Sequence, residues 1–272
     1  MAYNYFRERS KPYVPGQKEV FKLSRSKIEL FTQCPRCFWL DARLKITRPN
    51  TPPFNINKTI DELYKKEFDR YRALGQPHPM MTDNQIKAVP MQHKDLDKWR
   101  YNFTGVTTLH KPTNLHIFGA IDDVWVDEDG QAIVVDYKAT SKAKEITIDS
   151  DWQMSYKRQM EVYQWLLRQN DLLVSDVGYF VYTNARIDLD GFNDKLEFIT
   201  KVIPYTGDDS WVDATIIKMK ECMDGEMPAV GAAAMGGPCD YCSYAESRTR
   251  LTLNHPETYK ALHARASKNS KK

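Results

Sequence analysis

The sequence predicts an α/β fold with a mixed central sheet flanked by helices, and three features carry that expectation. Residues 57–73 (NKTIDELYKKEFDRYRA) set Ile60, Leu63, Tyr64, Phe68 and Tyr71 at helical spacing. The stretch LHIFGAIDDVWVDEDGQAIVVDYKAT reads as two strands joined around Asp129-Gly130, a strong hairpin signal. A long amphipathic helix over residues 151–169 follows, and VGYFVYTN (177–184) then reads as a buried strand.

The remaining elements are expected in the following order. Residues 1–20 form a loose basic arm, interrupted by Pro12, Pro15 and Gly16. Ser24 is placed to cap a helix running through Ile28, Leu30 and Phe31 into Cys34 and Cys37. Residues 76–112 show no clear period and read as an insertion or lid. In the 151–169 helix, Met154, Met160, Tyr163 and Leu166 or Leu167 define the inner side. A further strand is expected over 195–204 and a helix over 210–223. The glycine-rich GAAAMGGP then delivers Cys239 and Cys242, and a short basic helix and tail occupy 249–272. The main domain is thus expected over residues 21–248.

Composition excludes several classes. The 272 residues are 42% hydrophobic and 28% charged, as in an ordinary globular protein. No apolar run approaches the roughly 18 residues of a membrane span, so no membrane partner is expected. The beginning, MAYNYFRERSKPYVPG, lacks the apolar stretch of a secretory leader, which points to the cytoplasm. The net charge of +3 is unevenly laid out: residues 1–50 carry 11 Lys/Arg against 4 Asp/Glu, and residues 248–272 carry 7 against 1. Basic ends around an acidic centre suit a protein that grips a polyanion near a cation-loaded carboxylate site. Five cysteines in a cytoplasmic chain argue against a disulfide framework. Four fall in two CxxC pairs, Cys34/Cys37 and Cys239/Cys242, while Cys222 stands alone.

The hairpin carries the residues with chemistry. Cutting a phosphodiester calls for converging carboxylates to hold divalent cations, with a lysine beside them to orient the nucleophile or stabilise charge. Asp136 and Lys138, two apart on one strand, point to the same face and emerge from the apolar run AIVV. Whether Asp122 on the first strand joins them depends on the turn. A three-residue Glu128-Asp129-Gly130 loop with Gly130 left-handed pairs 127 with 131 and sets 122 opposite 136. A two-residue Asp129-Gly130 turn sets Asp123 there instead. The first register is preferred, because glycine suits the third position of a bulged loop.

GAIDDV followed by VVDYKAT resembles the paired motifs of the PD-(D/E)XK nuclease superfamily, with Asp in the third acidic place. Gln159 and Tyr163, in RQMEVYQWLL, are similar to the QxxxY motif of RecB-type nucleases, and four-residue spacing puts both on one helix face. The resemblance implies a restriction-endonuclease-like core and contact of these two residues with DNA or the water held by a metal. It further implies Mg²⁺ or Mn²⁺ on Asp122, Asp136 and the carbonyl of Tyr137, with Asp61 as the first-motif acid or, in another alignment, Glu62 or Glu67.

LSRSKIELFTQCPRCFWL closely resembles the opening motif of RecB-like exonucleases, including the iron–sulfur members associated with CRISPR systems. In that group an early cysteine joins later ones around a 4Fe–4S cluster. Cys34, Cys239 and Cys242 fit the pattern. The usual fourth position is Arg248, with Cys37 the expected substitute and Cys222 a poorer one. Two CxxC pairs equally suit tetrahedral Zn²⁺, and either metal would join the N- and C-terminal segments. The functional expectation is a metal-dependent DNA nuclease, a RecB-like exonuclease acting on ends or single strands. Two alternatives stand beside it: a non-catalytic nucleic-acid-binding module, and a nuclease subunit with recombination, repair or CRISPR-type protein partners. No GxxxxGK(S/T) motif is present, so any helicase activity would come from another chain.

Overall fold

Among the described residues regular structure begins at β1 (Phe21–Ser24), which leads directly into α1 (Arg25–Gln33); α2 (Pro35–Leu44) and α3 (Asn55–Leu74) follow. Then come α4 (Pro79–Asp83), β2 (Ala88–Pro90), α5 (Leu96–Arg100), β3 (Val106–His110), β4 (Leu115–Gly119), β5 (Asp123–Asp127) and β6 (Ala132–Thr140). A single 3₁₀ turn (Asp151–Gln153) opens α6 (Met154–Arg168), followed by β7 (Val177–Ala185), β8 (Phe198–Thr206), α7 (Trp211–Asp224) and α8 (Asp240–Asn254). The structure, a computed structural model, describes residues 11–49, 54–143, 145–233, 236–255 and 257. The first half of the expected N-terminal arm and most of the C-terminal tail lie outside them.

The described chain divides into two compact units. One is built from residues up to 14, residues 30–49, and residues from 222 onward; the other from 15–29 and 50–221. In the first unit, residues 11–14 have no regular structure, yet Tyr13 is buried there, with its hydroxyl donating to Asp224 Oδ1 at 2.7 Å. Pro35 occupies the first turn of α2, where its missing N–H costs nothing, and Lys45 closes the helix in the left-handed conformation.

The second unit holds both sheets. A five-stranded mixed sheet runs β2-β5-β6-β7-β8, with β6 and β7 parallel and the other pairs antiparallel. A three-stranded sheet runs β1-β4-β3. Residues 76–112, expected as an insertion or lid, are built into both: β2 is the edge partner of β5, and β3 pairs with β4. The anticipated first hairpin strand is in fact two, β4 and β5, in different sheets. Between them Ile121 donates its N–H to the Trp99 carbonyl at 3.1 Å rather than to a ladder, and the chain changes sheet there.

The β5–β6 register is the one preferred from sequence. Asp123 pairs with Val135 and Val126 with Ala132, which sets 127 against 131 and 122 against 136. The Asp127 N–H reaches the Gln131 carbonyl at 3.1 Å, and Gly130 sits at φ 78°, where a side chain would be strained. β6 is buried on both faces as far as Tyr137, so helices cover both. On one face Ile133, Val135, Tyr137 and Trp125 pack with Phe68 of α3, the Phe68 and Trp125 rings stacking at 5.5 Å. On the opposite face Met160 of α6 closes on Gly178, where a Cβ would meet its sulfur. Tyr64, Phe68 and Arg72 form the inner stripe of α3, leaving Leu63, which the pattern had placed inward, 56% exposed. Met154, at the start of α6, is likewise exposed, while residues 160–167 are buried on every side.

Alternation along β5 sends Asp123 away from Asp122, onto the α3 face, where it is fully buried. Arg72 pairs with its carboxylate, Arg100 Nη2 donates to Oδ1 at 2.7 Å and Tyr137 Oη to Oδ2 at 2.7 Å. Removing this acid leaves two buried guanidinium groups to share the half-exposed carboxylate of Asp69 as counter-charge. Asp123→Ala is therefore expected to destabilise the protein by about 3–5 kcal/mol in denaturant unfolding. A loss under about 1 kcal/mol, the range of an exposed pair, would show that the network is not holding the sheet to α3.

Candidate active site and metal centre

The face of the sheet toward α6 carries Asp136 and Lys138. Asp136 is fully buried in mid-sheet, opposite Phe180 of β7, and Lys138 pairs with its carboxylate. Asp122 stands just before β5, and its Oδ2 accepts the backbone N–H of Tyr137 at 3.0 Å. Its carbonyl accepts from Arg100 Nε at 3.1 Å, so the arginine that neutralises Asp123 also fixes the backbone of Asp122. Lys138 Nζ reaches Gln159 Oε1 at 3.4 Å, and Gln159 Nε2 reaches Tyr163 Oη at 3.1 Å. The expected QxxxY pair therefore stands beside the expected lysine.

Of the three acids weighed on α3, Asp61 is the one brought here. It lines a cleft of about 100 Å³ with Asn57, Tyr137, Lys138 and Tyr156. Glu62 is exposed, and Glu67 bonds His78 at 3.0 Å. Two residues went unnoticed in the sequence. Lys65 pairs with Asp61 at 2.7 Å, a contact that their i,i+4 spacing could have signalled. Tyr156 lies under Lys138 Nζ, 4.6 Å from the ring centre, one turn before Gln159.

Burial sets the electrostatics. It raises the Asp122 carboxyl to about 6, with Asp136 pushing the same way and Lys138, Lys65 and the Tyr137 N–H opposing. Burial and then Asp122 raise Asp61. Burial alone would lower Lys138, but Asp136 and Asp122 outweigh it and hold the ammonium above its ordinary value. Lys138 is thus a fixed cation rather than a base. Asp61 Oδ1 and Asp136 Oδ1 are buried and, among the described residues, accept no hydrogen bond. Orphaned carboxylate oxygens beside Asp122 are the donor set that a hard divalent cation takes. Such a cation would be held by Asp122, Asp136 and Asp61. The three carboxylates do not close around one point as the four paired cysteines do.

In the first unit the four paired cysteines meet. Their sulfurs all lie within 4.8 Å of one another: Cys34 to Cys242 is 3.8 Å, Cys37 to Cys239 is 3.7 Å and Cys37 to Cys242 is 3.5 Å. Cys34 precedes α2 and Cys239 precedes α8, so each CxxC pair folds onto the first turn of a helix. Gly231 donates its N–H to Cys34 Sγ at 3.2 Å and accepts from the Cys239 N–H at 2.8 Å. A Cβ at Gly231 would run into the Gln33 carbonyl and Cys34 Cα, so only glycine permits this approach. Arg48 Nη2 points at Cys239 Sγ, 3.4 Å away. Burial would raise Cys34, yet the Cys37 and Gly231 N–H groups and the neighbouring thiols bring it down to about 7. Burial pushes Cys37 up to about 11 against the pull of Arg48. Four thiols packed at contact distance suit a bound metal, which would ionise all four. Cys222 stands apart, its thiol 3.9 Å from the Pro35 carbonyl.

Residues 55–247 match the family model of the PD-(D/E)XK nuclease superfamily, and the chain belongs to that superfamily. No curated protein sequence is significantly similar to it. Among solved structures the chain is similar to SSO0001, at 14% identity over 78% of this chain and 80% of that chain, with a TM-score of 0.38.

Because the Asp122 carboxyl stands near 6 against an ordinary 3.8, the folded protein takes up a proton above the range where the unfolded chain does. Stability from this group is accordingly gained as pH falls through about 6 and absent above it. Without added divalent cation, Asp122→Asn is expected to raise the thermal midpoint more at pH 7.5 than at pH 5.5. An equal effect at both values would show that no raised carboxyl is buried there.

Proposed function

We propose that the chain is a metal-dependent DNA nuclease, acting as a RecB-like exonuclease on ends or single strands with Mg²⁺ or Mn²⁺. The observation that carries the reading is the fully buried Asp136, with an oxygen lacking a hydrogen-bond partner among the described residues, beside a lysine held cationic. A protein interior tolerates such an oxygen poorly unless something else comes to it. Membership of the superfamily makes that something a divalent cation and the substrate a nucleic acid. The choice of DNA and of RecB-like exonuclease action rests on the QxxxY and LSRSKIELFTQCPRCF resemblances, as does a place beside recombination, repair or CRISPR-type partners. Among the described residues no helix is long and apolar enough to cross a membrane.

When bound, the cation supplies Lewis-acid polarisation of the phosphodiester and acidifies water. The remaining work falls to the side chains. Asp122 and Asp136 present carboxylate oxygens whose negative charge the fold has already desolvated. Lys138 Nζ holds a positive charge where negative charge builds on the phosphate oxygens, and its position costs no rearrangement during reaction. Gln159 and Tyr156 both contact the lysine ammonium and hold it in place. Tyr163, hydrogen-bonded to Gln159, orients the amide toward substrate. The four cysteines hold a metal centre, zinc or iron–sulfur.

Asp136→Asn and Lys138→Ala are each expected to lower cleavage of end-labelled DNA by at least about 10²-fold, as loss of one electrostatic stabiliser does. Unfolding midpoints near wild type would separate lost chemistry from lost fold. Wild-type cleavage by either variant, or cleavage unaffected by removal of Mg²⁺ and Mn²⁺, would end the assignment. Progressive shortening from a labelled end would support the exonuclease reading, and internal fragments would overturn it.

A further inference from the structure

We propose that the cysteine quartet is built for one tetrahedral zinc ion, not for the 4Fe–4S cluster that the RecB-like resemblance implies, and that Arg48 is its charge partner. The first argument is metric. Four thiolates bound to one ion at about 2.3 Å in a tetrahedron lie roughly 3.8 Å from one another. The separations in the structure are 3.8, 3.7 and 3.5 Å, and no pair exceeds 4.8 Å. In a cubane cluster each thiolate binds a different iron and points outward from its corner, which spreads the sulfurs to about 6 Å. The space between these sulfurs holds one ion and does not hold eight cluster atoms.

The second argument concerns the walls. Opening the quartet would require the two CxxC segments to separate. The first is tied to the 231–239 loop by the Gly231 N–H on Cys34 Sγ, and the second is tied to the same glycine through the Cys239 N–H. Gly231 lies so close to this segment that a Cβ in its place would meet the Gln33 carbonyl and Cys34 Cα. One residue thus braces both halves at the closer spacing.

The third concerns charge. Four thiolates around a divalent ion leave a net charge of −2 in a site where three of the four cysteines are under a tenth exposed. Arg48 answers part of that charge. Its Nη2 lies 3.4 Å from Cys239 Sγ, its Nη1 donates to Gln33 Oε1 at 2.7 Å, and its guanidinium lies over the Tyr241 ring at 4.6 Å. The planar group is held on three sides, with its charge aimed at sulfur. Partners of this kind to metal ligands typically change metal affinity 10–100-fold.

The test is metal content and spectroscopy on the full chain, read without any nuclease assay, so its outcome is independent of the proposed function. Protein produced and purified anaerobically, with iron and sulfide supplied in excess, is expected to contain one zinc per chain and no acid-labile sulfide. Exchange with Co²⁺ is expected to give the visible d–d bands of a tetrahedral tetrathiolate site. Four irons with matching sulfide per chain would overturn the proposal, as would one iron without sulfide, or no metal at all. Cys37→Ser removes a ligand and can fail to fold, so Arg48→Gln provides the second arm. That variant should still bind one zinc, but surrender it to a chromogenic chelator at 10–100-fold lower chelator concentration. Retention equal to wild type would remove Arg48 from the site.

Discussion

Burial of negative charge is the constraint on which the larger unit depends. The hairpin brings Asp122, Asp123 and Asp136 into a space where an uncompensated carboxylate is untenable. Strand alternation separates them onto two faces, and each face meets the problem differently. Toward α3, Asp123 is answered by Arg72, Arg100 and the Tyr137 hydroxyl, and the acid is saturated. Toward α6, Asp136 has Lys138 but keeps an oxygen with no hydrogen-bond partner among the described residues, and Asp122 holds its proton up to about 6. The saturated face is structural and the unsaturated face is where a cation gains most. The two are mechanically linked, because Arg100 grips both the Asp123 carboxylate and the Asp122 carbonyl.

The smaller unit answers a different constraint. Its material comes from distant stretches of chain, Cys34 and Cys242 being separated by 208 positions. Among its described residues Tyr13, Phe38 and Met223 are buried, whereas α8 has no buried residue. A metal bound across such a long loop would stabilise this unit mainly by restricting the unfolded chain. The four sulfurs, all within 4.8 Å of one another, are placed where a bound ion would make that crosslink.

Much of this was legible from particular residues. Gly130 after Glu128-Asp129 announced a three-residue loop, and that turn fixed which aspartate faces which. The two CxxC pairs announced a shared centre, since isolated buried thiols would need no such spacing. The break between Gly119 and Asp123 was not legible, because the apolar alternation runs on through Ile121 and only the Trp99 carbonyl diverts its N–H. Nor was the role of residues 76–112, whose strands are three and five residues long, too short to show a period.

By itself the sequence determined the chemistry available: which acids share a strand face, that Lys138 accompanies Asp136, that Gln159 and Tyr163 share a helix face, and that four thiols come in two pairs. These follow from the fixed periods of strand and helix, which act over a few residues. The tertiary structure decided everything that requires two elements to meet. It selected Asp61 over Glu62 and Glu67, gave Asp123 its arginines, set Lys65 and Tyr156 beside the carboxylates, and drew the thiols to single-ion distance. No local period encodes such choices. They are settled by which charges a closed packing can neutralise once water has been excluded.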